Sequence, residues 1–398
     1  MKILVICQYY YPEPFRITDI CEELAKGGHE VFVITGLPNY PIGEIYEDYK
    51  DGQRRDEIIN GVKVHRCYTV GRKGGVVKRF LNYYSYAVSS SMYTSRLKEE
   101  FDVVFVNQLS PVMMASAGIR YKKKHCKKLI LYCLDLWPES LAAGGISRKS
   151  LIFRLFHKIS ARIYRQADEI LVTSKSFGDY LYNEFQISKE KIQYLPQYAE
   201  DIFNPETCRK KPNETVDLMF AGNIGAAQSI DTIICAAAET KDIKNLRWHI
   251  VGDGSELESM KKLASKLCIN SVIFHGRQPL EEMPKFYAMA DAMLVTMQSS
   301  PVLSMTLPGK VQTYMAAGKP IIGAIDGEAQ FIISEANCGY AVPASDYMAL
   351  ANVVRDMCIS HGLDEMGRKS REYYLNKFTK KSVMKQFEEC LRYESFAN

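Results

Sequence analysis

Short apolar runs alternate with segments of helical periodicity from the start of the chain. Nearly continuous apolar runs are typical of strands buried on both faces of a parallel sheet, and helical stretches such as 17–27 lie between them. In the first half, strands are predicted at 2–7, 30–35, 62–68, 102–106, 128–133, 169–173 and 192–195.

A polar stretch that contains prolines interrupts this alternation near the middle of the chain. Pro196, Pro205 and Pro212 fall in or beside it, and the run CRKKPNET has no periodicity. A second alternating series follows. Its strands are predicted at 217–221, 247–251, 272–274, 292–296, 320–325 and 339–342, and its helices at 229–238, 256–266, 280–289 and 380–392.

This pattern predicts an α/β fold of two Rossmann-like, doubly wound domains that face each other across a cleft. We expect an N-terminal domain at 1–199, a linker at 200–215, a C-terminal domain at 216–379 and, at 380–398, a helix that returns to the N-terminal domain. Ligands of open α/β sheets bind beyond the carboxyl ends of the strands, so functional residues are expected there.

Cysteine usage and hydropathy favour a cytoplasmic protein. The 11 cysteines form no CxxC pair, which is typical of buried thiols in a reducing compartment. The apolar run at 3–7 is too short for a signal peptide. No stretch approaches the ~18 apolar residues of a membrane-spanning helix, so we expect any membrane contact to be peripheral.

The net charge of +5 is distributed unevenly. Residues 1–199 hold 29 Lys and Arg against 21 Asp and Glu, whereas residues 200–398 hold 22 against 25. A basic half indicates an anionic partner near it. No helix-turn-helix, zinc-finger or RNP-like pattern accompanies the charge, which disfavours a nucleic-acid partner.

Three predicted strand–helix junctions in the second half contain glycine. These junctions contain Gly222 and Gly225, then Gly252 and Gly254, then Pro308, Gly309 and Lys310. Glycine lets a phosphate approach the backbone, a helix N-terminus favours anions, and a lysine there can hold a diphosphate. Each turn alone is also explained by the tight turns that any Rossmann-like sheet needs.

These motifs resemble those of retaining glycosyltransferase family 4. The similarity rests on AGNIG at 221–225, VGDG at 251–254, Asp291 and PGKVQTYMAAGKPII at 308–322. The resemblance implies a GT-B fold, a nucleoside-diphosphate-sugar donor and no metal requirement. In the first half, GHEVFVITGLPNYP and DLWPES resemble the branch that builds capsule and O-antigen repeats, including fucosamine-transferase-like members.

The resemblance also implies roles for residues of the donor side. The phosphate-side turn would be Gly222, Asn223, Gly225 and Gln228; Gly252 and Gly254 would face the nucleotide, Arg277 would lie beside its base, and Pro308, Gly309 and Lys310 would hold the diphosphate.

Two departures from the family pattern stand out. Many members have Arg and Lys where this chain has Asn223 and Gln228, which would leave Lys310 as the main cation. The family also usually carries two glutamates eight positions apart, the later one holding ribose hydroxyls. Here Met305 and Thr313 occupy those positions. Thr313 offers one hydrogen bond to the ribose or is simply a buried threonine of a core helix.

On the acceptor side, Asp135 follows a predicted strand and resembles the family's group beside the donor sugar. There it would orient a hydroxyl or stabilise positive charge at the anomeric carbon; the alternative is a helix N-cap. Glu139 is a second candidate, with a salt bridge as its alternative. Asn107 and Asn39 would line the acceptor side, and Arg16 would bind a phosphate of donor or acceptor.

Three basic segments of the first half suggest an anionic membrane surface. Segments 78–98 and 148–166 have helical periodicity with aromatic or aliphatic residues and basic ends, and 122–128 is a lysine cluster. In 148–166 the apolar stripe is predicted to contain Ile152, Leu155, Phe156, Ile159 and Ile163. The alternative is that such stripes pack on the sheet and the charges are solvated.

Together these features predict a metal-independent retaining glycosyltransferase of the hexosyl or N-acetylhexosaminyl type. It would take its sugar from a nucleoside-diphosphate donor, UDP-sugar being favoured, with no other cofactor. The acceptor would be a lipid-diphosphate-linked glycan at the inner face of the cell membrane, in surface polysaccharide synthesis. A GT-B sugar-nucleotide epimerase and a non-catalytic partner subunit remain alternatives, the latter because of Thr313, Met305 and the uncharged Asn223 and Gln228.

Overall fold

The computed structural model describes residues 1–359 and 362–392 of the chain. The chain divides into two compact units. The first comprises Met1–Leu195 together with the chain from Met384 onward, and the second is Pro196–Val383.

The described residues of the first unit form an eight-stranded sheet. Its strands are β1 (Lys2–Ile6), β2 (Glu30–Gly36), β3 (Asp56–Ile59), β4 (Val62–Cys67), β5 (Val103–Gln108), β6 (Lys128–Cys133), β7 (Glu169–Val172) and β8 (Ile192–Tyr194). The strand order is β3-β4-β2-β1-β5-β6-β7-β8, and the strands are parallel except at the β3–β4 edge.

Helices connect the parallel strands of this sheet. They are α1 (Ile17–Lys26), α2 (Val76–Arg96), α3 (Ser116–His125), α4 (Glu139–Ala143), α5 (Leu151–Tyr164) and α6 (Lys175–Phe185). The central strand β5 is buried along its whole length because helices cover both faces of the sheet, as a continuous apolar run requires.

The second unit is built around a six-stranded, fully parallel sheet. Its strands are β9 (Val216–Ala221), β10 (Leu246–Val251), β11 (Val272–Gly276), β12 (Ala292–Thr296), β13 (Ile321–Ala324) and β14 (Gly339–Val342). Their order is β11-β10-β9-β12-β13-β14. The helices are α7 (Ile230–Glu239), α8 (Leu257–Lys266), α9 (Met283–Tyr287), α10 (Gly309–Ala316), α11 (Glu328–Glu335), α12 (Tyr347–Ile359), α13 (Leu363–Lys377) and α14 (Lys380–Arg392).

The predicted fold class is confirmed, since each unit is a doubly wound, Rossmann-like α/β sheet. The antiparallel strand β3 was not predicted, because it is a four-residue edge strand without a buried residue. Helices α11, α12 and α13 were also not predicted.

The segment 200–215 lies within the second unit. Phe203 and Cys208 are buried in its core, and Lys210 donates to Asp217 at the start of β9 at 2.8 Å. The polar run therefore anchors to the second sheet, whereas the sequence suggested a linker.

Helix α14 contains the point at which the chain passes from the second unit to the first. In the first unit, Lys128 Nζ donates to the carbonyl of Cys390 at 2.8 Å, and Gln386 Nε2 donates to the carbonyl of Tyr194 at 2.8 Å. The remainder of the predicted C-terminal segment, 393–398, lies outside the described residues.

Over residues 1–359 and 362–392, no helix combines the length and the apolar character that crossing a bilayer requires.

Candidate functional site

Two glycine-containing turns interlock at the carboxyl ends of β9 and β10. The Ile224 N–H donates to the carbonyl of Asp253 at 2.8 Å, and the Glu256 N–H donates to the carbonyl of Ile224 at 3.0 Å. A Cβ atom on Gly254 would lie 2.3 Å from the Ile224 oxygen, so only glycine permits this approach. The edge therefore presents bare backbone.

Asn223 and Gln228 lie at the rim of the first turn. The Asn223 amide donates to Gln228 Oε1 at 3.1 Å, and Asn223 is exposed. The backbone oxygen of Gln228 accepts from Thr296 at 2.6 Å, which ties the turn to β12. The two uncharged side chains thus pair with each other beside Gly222 and Gly225.

Lys310 lies behind this turn, on the first turn of α10. Helix α10 begins at Gly309 after Pro308, and Lys310 Nζ lies 3.7 Å from the centroid of the Phe220 ring. A Cβ atom on Gly222 would be only 3.1 Å from the same Nζ atom. The ammonium group therefore lies directly beside the glycine turn.

The Lys310 ammonium is buried and makes no hydrogen bond to any described residue. Burial lowers the pKa of Lys310 to about 7. An ammonium has three donors, and the Phe220 ring offers only a cation–π contact. An anion at the Gly222 turn would supply the missing acceptors and raise the pKa again.

Thr313 lies one turn further along α10, and its hydroxyl donates to the carbonyl of Gly309 at 3.2 Å. The side chain is partly exposed, so its oxygen can still accept a hydrogen bond. Met305 ends a 3-10 helix at Leu303–Met305.

Arg277 is exposed just beyond β11. Behind it, His275 Nε2 lies 2.9 Å from His249 Nδ1, and His249 Nε2 lies 2.9 Å from Asp217 Oδ1. Burial and the neighbouring His249 lower the pKa of His275. This chain of polar groups holds the end of β11 in place beside the exposed arginine.

Asp135 follows β6 at the carboxyl edge of the first sheet. Ser140 Oγ donates to Asp135 Oδ1 at 2.7 Å, and Ser110 Oγ donates to Oδ2. Burial raises the pKa of Asp135, although the two hydroxyls oppose that shift. Helix α4 begins only at Glu139, so Asp135 is a doubly held carboxylate at a strand end and does not act as the N-cap.

Glu139 is buried and is paired within its own unit. Arg148 lies 2.6 Å from its Oε2, and the Tyr180 hydroxyl donates to Oε1 at 2.8 Å. This arrangement corresponds to the salt bridge that the sequence left open, and it links α4 to the segment before α5.

Asn39 and Asn107 are both buried near the carboxyl edge of the first sheet. The Asn39 amide donates to the carbonyl of Leu37 at 2.8 Å, so it stabilises its own loop. Asn107 lies within β5, and Arg16 directly precedes α1 and is partly exposed.

Glu13 is a residue of this edge that sequence reasoning missed. It is buried and accepts from the backbone N–H groups of Asn39 at 2.8 Å and Tyr40 at 2.7 Å. Burial raises the pKa of Glu13 to about 7, against the lowering effect of those N–H groups. Its position between Pro12 and Pro14, in the loop that follows β1, was the available signal.

A cavity of about 520 Å³ opens between the loops that follow β2 and β4. Leu37, Tyr68 and Thr69 line it, together with Lys73, which precedes α2, and Lys78 in the first turn of α2. A volume of this order accommodates a small ligand.

Within the described ranges, no three His, Cys, Asp or Glu side chains are grouped as a metal site would need.

Comparison with known proteins identifies both halves of the chain. Residues 16–197 match the family described as Glycosyltransferase Family 4, and residues 206–373 match the one described as Glycosyl transferases group 1. Both halves are glycosyltransferase domains.

Two curated relatives align with most of the chain. The putative colanic acid biosynthesis glycosyl transferase WcaI of Escherichia coli K12 is 25% identical over 97% of this chain and 98% of its own length. The probable glycosyltransferase WbjE of Pseudomonas aeruginosa is 27% identical over 67% of this chain and 68% of its own. The glycosyltransferase domains described above therefore have homologues in bacterial surface polysaccharide synthesis.

A solved structure shares the fold. Anabaena HepE, crystallised with UDP and glucose, superposes with a TM-score of 0.71 at 14% identity and covers 98% of this chain and 99% of its own. The two glycosyltransferase domains thus have the GT-B architecture expected from the sequence.

The two domains separate the functional candidates. The group 1 domain contains the interlocked turns, Lys310, Thr313 and Arg277, and the family 4 domain contains Asp135, whereas Glu13 precedes the residues that match family 4. Ser110 and Ser140 were also missed from the sequence, although Ser140 stands in the same DLWPES motif as Asp135.

Proposed function

We propose that this protein is a retaining glycosyltransferase that takes a hexosyl or N-acetylhexosaminyl group from a nucleoside-diphosphate sugar, with UDP-sugar as the favoured donor. The observation that carries the proposal is the buried Lys310 ammonium, which lies beside the Gly222 turn without a hydrogen-bond partner among the described residues. Support also comes from HepE, whose crystals contain UDP and glucose.

On the donor side, the diphosphate would lie against the interlocked turns and the start of α10. Negative charge grows on the leaving diphosphate as the glycosidic bond breaks, and a desolvated ammonium stabilises it strongly. Thr313 would accept or donate one ribose hydrogen bond, Arg277 would lie beside the base, and Gly252 and Gly254 would let the nucleotide approach the backbone.

On the acceptor side, Asp135 would stabilise positive charge at the anomeric carbon. Retention would follow if the acceptor oxygen attacks the face from which the diphosphate departs. The bond from the anomeric carbon to the diphosphate breaks, the bond to the acceptor oxygen forms, and the departing diphosphate takes the acceptor proton. Neither a metal ion nor another cofactor has a part in this scheme.

The acceptor would be a lipid-diphosphate-linked glycan of a capsule or O-antigen repeat, with fucosamine-transferase-like chemistry as the expected type. The protein would then work peripherally at the inner face of the cell membrane. The relative WcaI, whose name assigns it to colanic acid biosynthesis, supports the polysaccharide setting.

A thermal-shift screen against UDP-sugars and other nucleoside-diphosphate sugars tests the donor. A donor at ~100 times its dissociation constant stabilises a protein by roughly 2.7 kcal/mol. We expect one donor class to raise the melting temperature of the wild type and to lose that effect in Lys310→Met.

Lys319→Met is the matched control. Lys319 is also buried in the second unit, and burial lowers its pKa to about 8, but its Nζ donates to the carbonyl of Ala290 at 2.7 Å. The control should lose stability and keep the donor shift.

No shift with any donor contradicts the proposal, and donor binding without transfer to a lipid-linked acceptor favours the non-catalytic subunit. Epimerised nucleotide sugar as the product favours the epimerase.

A further inference from the structure

Helix α2 is amphipathic, but many of its apolar side chains face solvent and several of its polar side chains are buried. Its buried face is largely polar, and five large apolar side chains are between 42% and 72% exposed. The exposed residues are Val77, Leu81, Tyr84, Val88 and Met92, whereas Asn82, Tyr86, Ser90 and Thr94 are fully buried. A spacing of three or four residues places the apolar set on one stripe. Surface helices of soluble domains show the opposite arrangement.

The buried polar side chains of α2 are satisfied where they lie. Asn82 Nδ2 donates to the carbonyl of Val70 at 2.6 Å, and the Tyr86 hydroxyl donates to the carbonyl of Cys7 at 2.9 Å. Ser90 Oγ donates to the carbonyl of Tyr86 at 2.6 Å. Hydrogen bonds thus fix the helix in this rotation, and the outward apolar stripe is a stable feature of the fold.

Helix α5 adds a second exposed apolar group. Its buried side includes Phe153 and Phe156, while Leu151, Ile152 and Leu155 are 80%, 55% and 58% exposed. Of the stripe predicted from the sequence, Ile152 and Leu155 are therefore exposed, whereas Phe156 and Ile163 are buried. The helix packs on its own unit through Phe153, Phe156 and Ile163.

The two helices are neighbours. The rings of Phe80 on α2 and Phe156 on α5 stack with their centroids 6.4 Å apart, and both helices contact the 3-10 helix Val112–Ala115. The two exposed groups therefore belong to one region of the first unit, which we name the α2–α5 face.

The α2–α5 face is cationic. Neither helix contains an Asp or Glu, and their six Lys and Arg side chains are all exposed. The cations are Lys78, Arg79, Arg96, Arg154, Lys158 and Arg162. Exposed aliphatic groups with basic neighbours are the pattern of helices that lie in the interface of an anionic membrane. A second copy is a poor occupant, because a two-fold interface would set this cationic face against itself.

We propose that the α2–α5 face docks on a bilayer that contains anionic phospholipid, with its exposed aliphatic side chains entering the interface. This inference rests on the proposed function for the lipid-linked acceptor, and it adds which surface meets the membrane.

Vesicle flotation of the full chain tests the proposal. We expect binding to phosphatidylcholine vesicles that contain about 30% phosphatidylglycerol, weak binding to pure phosphatidylcholine, and release of the protein by high salt. The double variant Leu151→Ser, Leu155→Ser should lose at least about tenfold in binding, because both side chains are exposed in solution and would be buried only in the bilayer. Leu81→Ser with Val88→Ser should act likewise on α2.

The matched control is Leu375→Ser in the second unit, where Leu375 is 52% exposed. It should bind vesicles as the wild type does. Equal flotation of wild type and stripe variants overturns the proposal, as does a stable dimer that the stripe variants dissociate. Donor thermal shift on the same variants separates the two proposals: a stripe variant that keeps the donor shift but leaves the vesicles supports the membrane face. If no protein shows a donor shift, only the proposed function fails.

Discussion

Asp135 at the carboxyl edge of the first sheet and Lys310 beside that of the second sheet are held in opposite ways. Asp135 accepts from Ser110 and Ser140, whereas the Lys310 ammonium makes no hydrogen bond to any described residue and lies over the Phe220 ring. Burial shifts both toward neutrality, since it raises the pKa of Asp135 and lowers that of Lys310 to about 7. Hydroxyl groups orient a carboxylate without adding charge. Asp135 is therefore positioned before any ligand binds, whereas the Lys310 ammonium gains hydrogen-bond acceptors only when an anion binds beside it.

The largest expected effect is that of Asp135→Asn. This change keeps the shape and removes the charge that would stabilise the anomeric carbon, so we expect kcat to fall roughly 100- to 1,000-fold. The donor thermal shift should remain, because that shift depends on Lys310. Steady-state kinetics with donor and acceptor give the measurement.

Glu139→Gln is the control carboxylate for Asp135. Its pairs with Arg148 and Tyr180 make it a structural group, so its substitution should lower the melting temperature more than kcat. A larger fall in kcat for Glu139→Gln than for Asp135→Asn would reverse the assignment of the two roles.

The interlocked turns beside Lys310 depend on close backbone packing, which Gly254→Ala disturbs. The added methyl group would lie 2.3 Å from the Ile224 oxygen, so we expect a loss of about 3 kcal/mol in the free energy of unfolding. Gly362→Ala is the control in the same unit, because a Cβ there meets nothing within 4 Å, and it should change stability by less than about 0.5 kcal/mol. Urea unfolding measures the free energy of unfolding of both variants. Equal values for the two variants would show that the two turns can move apart.

The pH dependence of donor binding follows from the pKa of about 7 for Lys310, against 10.5 for an ordinary lysine. An anionic diphosphate favours the charged ammonium, so UDP-sugar affinity should fall as the pH rises above about 7, toward roughly tenfold per pH unit. Titration calorimetry between neutral and alkaline pH measures it.

The unfolded chain binds more protons at Lys310 than the folded chain does between the two pKa values. The lysine therefore costs stability below pH 10.5, and the cost is complete below about 7. Lys310→Met should thus be more stable than the wild type at neutral pH, with the gap closing as the pH rises. Lys310→Arg stays charged, and its donor affinity should not depend on pH. A flat affinity profile for the wild type would mean that Lys310 already has its partner.

More of the carboxyl edge of the second sheet than of the first could be predicted from the sequence. Glycine after a strand and a lysine at a helix start are local signals, so Gly254 and Lys310 could be named in advance. The two partners of Asp135 differ in their distance along the chain. Ser140 is local, in α4, but Ser110 follows β5 and meets Asp135 only because β5 and β6 are neighbouring strands.

The burial of individual side chains was the second feature that the sequence did not predict. The periodicity of 148–166 predicted the helix α5 and put Ile152 and Leu155 on one stripe with Phe156. It left open whether that stripe is buried or exposed, because apolar residues occur on several sides of this helix. The exposed apolar stripe of α2 was likewise not predicted. Its buried Asn82 is satisfied by groups of other segments, Gln8 and the carbonyl of Val70 among them, and its buried Ser90 by a carbonyl of the helix itself.

The smallest expected effect comes from removing one of the hydrogen bonds that hold Asp135. Ser140→Ala removes one of the two hydroxyls on Asp135 and leaves Ser110 in place, so we expect kcat to fall about fivefold. A hydrogen bond to the charged carboxylate lowers its pKa, and its loss should raise that pKa further and move the acidic limb of the pH–rate profile to higher pH. Ser140→Thr retains the hydroxyl and should restore both the rate and the profile. If Ser140→Ala lowers the rate without moving the acidic limb, the serine acts on α4 and not on Asp135, and the carboxylate is then held chiefly by Ser110.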